Sequence, residues 1–244
     1  MKIVAVIPAR YKSSRFPGKP LADICGKPMV WWVYQEAKKV QAFDNVIVAT
    51  EDERVINVCN KLGMDVMLTS DSHPTGTDRV AEVAQKINAD FYVIIMGDEP
   101  LISWEDENKI VGIIRDNPDL DAVMLIEKFK NPVDVINTTT IKLAISDKNR
   151  LVFMSRCPIP YPKASLDFVY YKNVGCYAMK KEVLNFFLDT APGYIERIEE
   201  IEMLRLLENG REVKTIEIKS QSMAVDTPKD LERVRKVIFG KIKE

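Results

Sequence analysis

The sequence has 244 residues, 46% of them hydrophobic and 29% charged, with a formal net charge of −1. A chain of this length can bury a full core, and its near-neutral balance argues against a general nucleic-acid binder, which carries a basic excess. Every apolar run falls short of the roughly 18 residues that a membrane span needs, and the four cysteines (Cys25, Cys59, Cys157, Cys176) form no C-x-x-C pair, so reduced thiols are expected rather than a metal or disulfide framework.

The opening "MKIVAVIPAR" has one lysine and a short apolar core without a small-residue cleavage site, so residues 3–7 read as a first strand and the protein as cytoplasmic. "PMVWWVYQEAKKVQAF" has helical apolar spacing, and "NVIVAT" reads as the second strand. "DERVINVCNKLG" predicts a helix ending at Gly63, "DVMLT" a third strand, "GTDRVAEVAQKIN" another helix and "DFYVIIMGD" a very apolar strand. This alternation predicts an α/β fold, a doubly wound and mostly parallel sheet with helices on both faces. Ligands of such sheets lie beyond the carboxyl ends of the strands, which places "ARYKSSRFPGKP" and "GDEP" over one crevice.

The second half is less regular. "DAVMLIEKF", "TTIKLAISD", "RLVFMS" and "DFVYYKNVGCYAM" predict strands of a mixed sheet or a small antiparallel arm. "KKEVLNFFLDT" and "IEEIEMLRLLENG" predict helices, the second stopped by Gly210, and "EVKTIEIKS" a late alternating strand. "TPKDLERVRKVIF" predicts a last helix with Thr227 as N-cap and Pro228 at the first position. With neither a linker nor a repeat, the chain reads as one domain over residues 1–244.

The first loop carries Arg10, Lys12, Arg15 and Lys19 within a proline-bounded stretch. Mutually repelling cations this close point to a strongly negative ligand. The loop lacks both G-x-x-x-x-G-K-[ST] and G-x-G-x-x-G, so neither a P-loop nor a dinucleotide site is indicated. Side-chain cations with Ser13, Ser14 and Gly18 are what it offers, arginine as a bidentate fork and lysine as a mobile point charge. Asp98 closes a strand too apolar to carry a carboxylate cheaply unless it is exposed or bound to a cation.

These segments together ("IPARYKSSRFPGKPL", "GKPM", "VIVATED", "HPTGTDRVAE", "GDEPLI", "SRCPIPY", "VDTPKDLERVR") resemble, in order and over nearly the whole chain, the acid-sugar cytidylyltransferases of the 3-deoxy-manno-octulosonate (Kdo) type. The resemblance implies a nucleotide-diphospho-sugar transferase-like fold and transfer of CMP from CTP to a hydroxyl of an acidic sugar, with pyrophosphate released. It implies Mg²⁺ as cofactor, held by Asp98 and Asp226, a pair of carboxylates that suits an ion keeping waters and phosphate oxygens. Arg10, Lys19 and Asp98 fall on catalytic positions, and Arg10, Ser13, Arg15, Lys19, Thr77, Asp78 and Arg79 on nucleotide-binding ones. Thr77 and Asp78 also read as the cap and first turn of a helix. No protein nucleophile is needed, so neither Cys25 nor His73 requires a catalytic role. A homodimer with its contact arm around residues 150–180, a small acidic acceptor, no nucleic acid or membrane partner, and a place in lipopolysaccharide biosynthesis are implied in the same way.

The acceptor side departs from the pattern. Met96 stands where the resemblance implies glutamine, Asn173 where it implies histidine, and Met203, beside a retained Glu202, where it implies a second glutamine. Thioethers are poor hydrogen-bond partners. The acceptor is therefore either Kdo, contacted through neighbours such as Lys142, Arg156 or Tyr171, or another acid, a different 2-keto acid sugar or a phosphonate. Preference for CTP over UTP rests on loop geometry and stays open. A catalytically silent nucleotide-binding regulator is disfavoured by the joint presence of Asp98, Asp226 and the cationic loop.

Overall fold

A computed structural model describes residues 1–12, 16–165 and 167–243. Its first strand, β1 (Ile3–Pro8), is buried along its whole length, as expected of a β-branched run covered on both faces. After a loop come the two-residue strands β2 (Asp23–Ile24) and β3 (Lys27–Pro28), which pair with each other, then α1 (Met29–Lys39), β4 (Asn45–Thr50), α2 (Glu53–Lys61), β5 (Val66–Leu68), α3 (Gly76–Lys86) and β6 (Phe91–Ile95). There follow α4 (Trp104–Asp116), β7 (Ala122–Lys128), β8 (Lys142–Ile145), β9 (Leu151–Ser155), β10 (Tyr171–Lys180) and α5 (Lys181–Asp189). The chain closes with α6 (Tyr194–Glu199), α7 (Leu204–Glu208), β11 (Val213–Glu217) and α8 (Pro228–Lys243).

The main path of the sheet runs β11-β7-β10-β6-β1-β4-β5, with the β8–β9 hairpin attached to β10. β1 pairs in parallel with β4 on one side and β6 on the other, so the strand order reverses at β1. Such a reversal opens a crevice above the strand's carboxyl end, because the two connections leave in opposite directions. β10 is the reversed strand, antiparallel to both β6 and β7, and its register shifts between Asn173 and Tyr177.

Alternation along each strand sorts the core into two layers. Ile3, Ala5, Ile7, Val93 and Ile95 pack with Val30, Val33 and Ala37 of α1, Val55 of α2 and Ile110 and Ile114 of α4. Val4, Val6, Tyr92 and Ile94 point the other way, against Val80 and Ala84 of α3, Leu184 and Phe187 of α5 and Leu204 and Leu206 of α7. α8 adds a third cluster, setting Leu231, Val234 and Ile238 against Ile24, Met29, Leu101 and Val225.

Several boundaries differ from the sequence expectation. The helix expected over "IEEIEMLRLLENG" is two short ones, α6 and α7, because Glu200 takes a left-handed conformation (φ 51°) at the end of α6. Arg205 bridges the break. Buried to 2% exposure, it gives Glu196 two hydrogen bonds, at 2.6 and 2.8 Å, and approaches Asp78 of α3 at 3.5 Å. Removing one partner of such a buried pair typically costs about 3–5 kcal/mol. The strand expected from residue 167 begins at Tyr171. Thr75, not Thr77, caps α3, accepting a hydrogen bond from the Asp78 amide. Thr227 caps α8 as expected, its Oγ1 accepting from the Asp230 amide at 3.3 Å.

Helix α4 was not anticipated. Ser103 caps it, and Glu105, Asp106 and Glu107 crowd its first turn, favourable to the helix dipole. Glu107, however, is fully buried with neither carboxylate oxygen hydrogen-bonded. Burial, then Glu36 and Asp106 nearby, push its carboxyl well above the usual range. From the unfolded value of about 4.3 upward, the folded chain keeps a proton that the unfolded chain has lost, so stability falls as pH rises. Glu107→Gln is expected to match wild type at pH 4 and to exceed it at pH 8, as read from urea unfolding at the two pH values.

Candidate active site

The crevice above β1 is assembled from three loops. The first leaves β1 at Ala9, whose amide donates to Ala49 O, and is pinned where the amides of Tyr11 and Lys12 donate to Glu51 Oε1 at 3.0 and 3.3 Å. The Arg54 guanidinium covers the Tyr11 ring at 3.4 Å. The loop closes where the Gly18 amide donates to Tyr11 O, and the left-handed φ of 72° at Gly18 turns the chain into Lys19. Ser13 and Arg15 lie outside the described residues. Arg10 stands exposed at the rim and reaches the second side of the crevice, its Nη1 donating to Pro74 O at 3.3 Å.

The second loop, "GDEP", follows β6. A Cβ on Gly97 would lie 2.9 Å from Pro8 O, so only glycine lets this turn sit against the end of β1. The third loop is irregular chain before α8, tied to the second by the Val225 amide donating to Asp98 O at 2.9 Å. Lys19 meets both: its ammonium is 2.5 Å from Asp98 Oδ2 and 3.7 Å from Asp226 Oδ1. The three side chains are 14%, 22% and 23% exposed, open to the crevice yet partly shielded from water.

Behind them, a buried clamp fixes the third loop. Glu127 accepts from the amide and hydroxyl of Ser222, both at 3.1 Å, and pairs with Lys172 at 2.9 Å, while Lys172 donates to Ser222 O. Glu99 fixes the second loop, its Oε1 accepting from the Gly175 amide at 3.0 Å. Burial, with Asp98 next to it, pushes the Glu99 carboxyl up to about 8.

The far wall is the start of α3 facing β10 and residues 201–203. Tyr177 donates to Glu202 Oε1 at 2.7 Å, the Thr77 amide donates to Glu202 Oε2 at 3.1 Å, and the Met96 sulfur lies 3.8 Å from the Tyr177 hydroxyl. Under the wall, His73 contacts Glu82 at 2.6 Å. Burial opposes the charge on Glu82, yet hydrogen bonds from Lys86, His73 and the Ser70 amide hold its carboxyl down to about 2.

Comparison with known proteins decides the family. Residues 4–217 match the family model of the cytidylyltransferases. The chain belongs to the cytidylyltransferase family. It is 38% identical over 243 residues to the 3-deoxy-manno-octulosonate cytidylyltransferase of Escherichia coli, covering 100% of this chain and 98% of that one. It is 39% identical over 242 residues to the enzyme of the same name from Solibacter usitatus, covering 99% and 96%. The solved structure of a CMP:2-keto-3-deoxy-manno-octonic acid synthetase complexed with CTP superposes with a TM-score of 0.93 at 38% identity, over 99% of this chain and 100% of the other. An inositol-1-phosphate CTP transferase from T. maritima shares the fold, with a TM-score of 0.72 at 16% identity.

Within this cytidylyltransferase, Lys19, Asp98 and Asp226 come together in the crevice, and Arg10 stands at its rim. Other expected residues turn inward, because the first turn of α3 must pack on the sheet. Thr77 is fully buried, with its hydroxyl 3.3 Å from Tyr177. Asp78 accepts from Thr75 Oγ1 at 2.6 Å and faces Arg205. Arg79, fully buried, donates to Ser70 O and lies 3.1 Å from Glu51. These three side chains are engaged within the fold, where they hold the start of α3 against the sheet.

Two of the residues expected on the acceptor side, Lys142 and Arg156, are engaged with backbone carbonyls. The Lys142 ammonium is buried and donates to the carbonyls of Asn137, Thr140 and Arg156, and the Arg156 guanidinium donates to those of Thr138, Glu199 and Glu200. Both serve the fold, satisfying chain ends that have no ladder of their own. Met203 sits in the core at 3% exposure. Met96, half-buried, packs its methyl 3.4 Å from the position of a Cβ on Gly76, and Asn173 keeps its Oδ1 buried without a hydrogen-bond partner. Tyr171 donates to Glu217.

Tyr177, Glu99 and the Glu127–Lys172 clamp escaped the sequence reading. For Tyr177 and Glu127 the signal available was a phenol or an acid inside an apolar strand, which must find a partner when buried, whereas Glu99 lies in the turn after β6. Gly175 carries a direct test. A Cβ there would lie 2.8 Å from Glu99 Cγ and 3.0 Å from Met96 Cβ. Gly175→Ala is expected to displace the Asp98 turn and cut turnover with CTP on the order of 10²-fold, with the far-UV circular dichroism unchanged.

Proposed function

We propose that this cytidylyltransferase condenses CTP with 3-deoxy-manno-octulosonate, forming the CMP-sugar and pyrophosphate. The observation that carries the reading is the meeting of Lys19 with Asp98 and Asp226, from three separate loops, at the strand-order reversal, with Arg10 on the rim at Pro74. A cluster of both signs at that place fits a polyphosphate with its counter-cation. In the reaction the acceptor hydroxyl attacks the α-phosphorus, the bond to the bridging oxygen breaks, and the hydroxyl proton passes to solvent. Arg10 and Lys19 offset the charge that accumulates on the departing pyrophosphate, the former as a fork, the latter as a point charge.

Two carboxylates converging on one cation provide a hard, oxygen-only donor set, and among the described residues no third acid, histidine or cysteine joins them. That set fits Mg²⁺, which keeps most of its water and takes phosphate oxygens for the rest. When bound there, Mg²⁺ supplies charge stabilisation at the phosphoryl oxygens. Glu202, held by Tyr177 and the α3 amide, stands on the side left for the acceptor.

A second acceptor class is supported by a specific observation. Met96 puts a thioether on the acceptor side, against Gly76 and beside the Tyr177 hydroxyl. An acid with fewer hydroxyls at that end, another 2-keto acid sugar or a phosphonate, fits such a wall at lower cost, because each unpaired polar group of a bound sugar costs about 1–3 kcal/mol. Pyrophosphate release with CTP, Mg²⁺ and a panel of acids separates the two. Turnover is expected to be highest with Kdo, and Asp98→Asn or Asp226→Asn to lower it by about 10²–10³-fold. No pyrophosphate with any acid rejects the function.

The homodimer belongs to the same proposal. Val152 on β9, and Tyr161 and Val169 in the chain that follows it, are 58%, 84% and 44% exposed along the expected arm. Analytical ultracentrifugation is expected to give twice the chain mass, and Val152→Lys with Tyr161→Lys to halve it.

A further inference from the structure

Three consecutive residues of the first loop are tied to the chain that leads into α3. Arg10 Nη1 donates to Pro74 O at 3.3 Å, Lys12 Nζ lies 3.6 Å from Asp71 Oδ2, and the amides of Tyr11 and Lys12 donate to Glu51 Oε1 at 3.0 and 3.3 Å. The Lys12 and Asp71 side chains are 73% and 69% exposed, and an ion pair so wet enforces little. The link through Glu51 is buried.

Glu51 stands directly after β4, the parallel neighbour of β1, and its side chain is 4% exposed. One of its oxygens takes the two successive amides. The other lies 3.1 Å from Arg79 Nη2, and neither of those two atoms makes an aligned hydrogen bond, so each depends on the other's charge. Arg79 is fully buried on α3 and is itself anchored, its Nη1 donating to Thr69 Oγ1 at 2.5 Å and to Ser70 O at 3.2 Å. A buried acid and base held in this way tolerate little displacement, because separating them leaves an uncompensated charge out of water. The position of α3 therefore dictates where the backbone of residues 11 and 12 lies, and with it the root of the Arg10 side chain. Both members of the pair are buried, so they act through the loop.

We propose that Glu51 and Arg79 are positioning residues, a strut that fixes how far the cationic loop stands from the β- and γ-phosphates of a nucleoside triphosphate. The inference rests on the reading above that this loop meets the phosphates of CTP. It gives Arg79 a part in nucleotide binding that requires no contact with the nucleotide. A strut of this kind is selective. It governs affinity for the far end of the triphosphate and leaves affinity for a nucleoside monophosphate, which has no such end, nearly unchanged.

Calorimetric titration of the full chain with CTP and with CMP tests this. Glu51→Ala is expected to weaken CTP by about tenfold or more, the equivalent of one charge-assisted contact, and to leave CMP close to its wild-type affinity. Arg79→Met is expected to show the same pattern, and the double variant to lose no more than Glu51→Ala alone, since the pair acts as a unit. Equal weakening of CTP and CMP reveals a general structural defect and overturns the proposal, as do additive losses in the double variant. Glu51→Gln keeps the shape and the acceptor oxygen but removes the charge that faces Arg79. It is expected to show the CTP-selective loss at smaller size, and it decides should Glu51→Ala fail to fold; wild-type CTP affinity in Glu51→Gln overturns the strut while the reading of the loop stands. A wild-type chain that binds neither nucleotide removes that reading and the inference with it.

Discussion

The site depends on how closely the end of β6 can approach the end of β1. Gly97 lies against the Pro8 carbonyl with no room for a Cβ, and this contact sets Asp98 beside the loop that bears Lys19. The Asp98 carbonyl receives the Val225 amide, which brings Asp226 to the same ammonium. A local steric condition at the strand reversal thus determines where three distant segments of the chain deposit their charges. The parallel β4-β1-β6 core supplies the rigidity that makes this condition effective.

Burial of charge is used here for placement. Glu127, Lys172 and Ser222 form a closed set of hydrogen bonds under the third loop, and Glu196, Arg205 and Asp78 form another under the far wall. Pairs of this kind contribute little net stability compared with apolar packing, but breaking them is expensive. Their geometry is therefore strongly enforced, which suits loops that have no ladder to hold them. Glu107 is the contrast, an acid buried in a helix without a partner, which the fold tolerates with its carboxyl pushed well up.

Much of the frame was legible in the sequence. Buried strands such as "KIVAVIP" and "DFYVIIMGD" declare themselves by β-branched runs, and α8 by its Thr-Pro start. The crevice followed from the position of the cationic loop after the first strand. What could not be read was direction. Thr77, Asp78 and Arg79 lie in one short motif, and only the packing of α3 on the sheet turns them inward. Lys142 and Arg156 look like ligands for an anion until the carbonyls of residues 137–140, 156 and 199–200 are seen to need donors. α4 was hidden by a first turn so acidic that its apolar face, Ile110, Val111 and Ile114, begins only a turn and a half later.

The guanidinium of Arg205 joins α6, α7 and the opening turn of α3 at one point. Segments on the acceptor flank therefore cannot drift apart from the nucleotide flank during evolution without first rebuilding that knot. Room for change is left to side chains that hang free of it, and Met96 and Asn173 are such positions. A lineage exploring new acceptors on this scaffold would accumulate its differences there while the helices around them stayed in register.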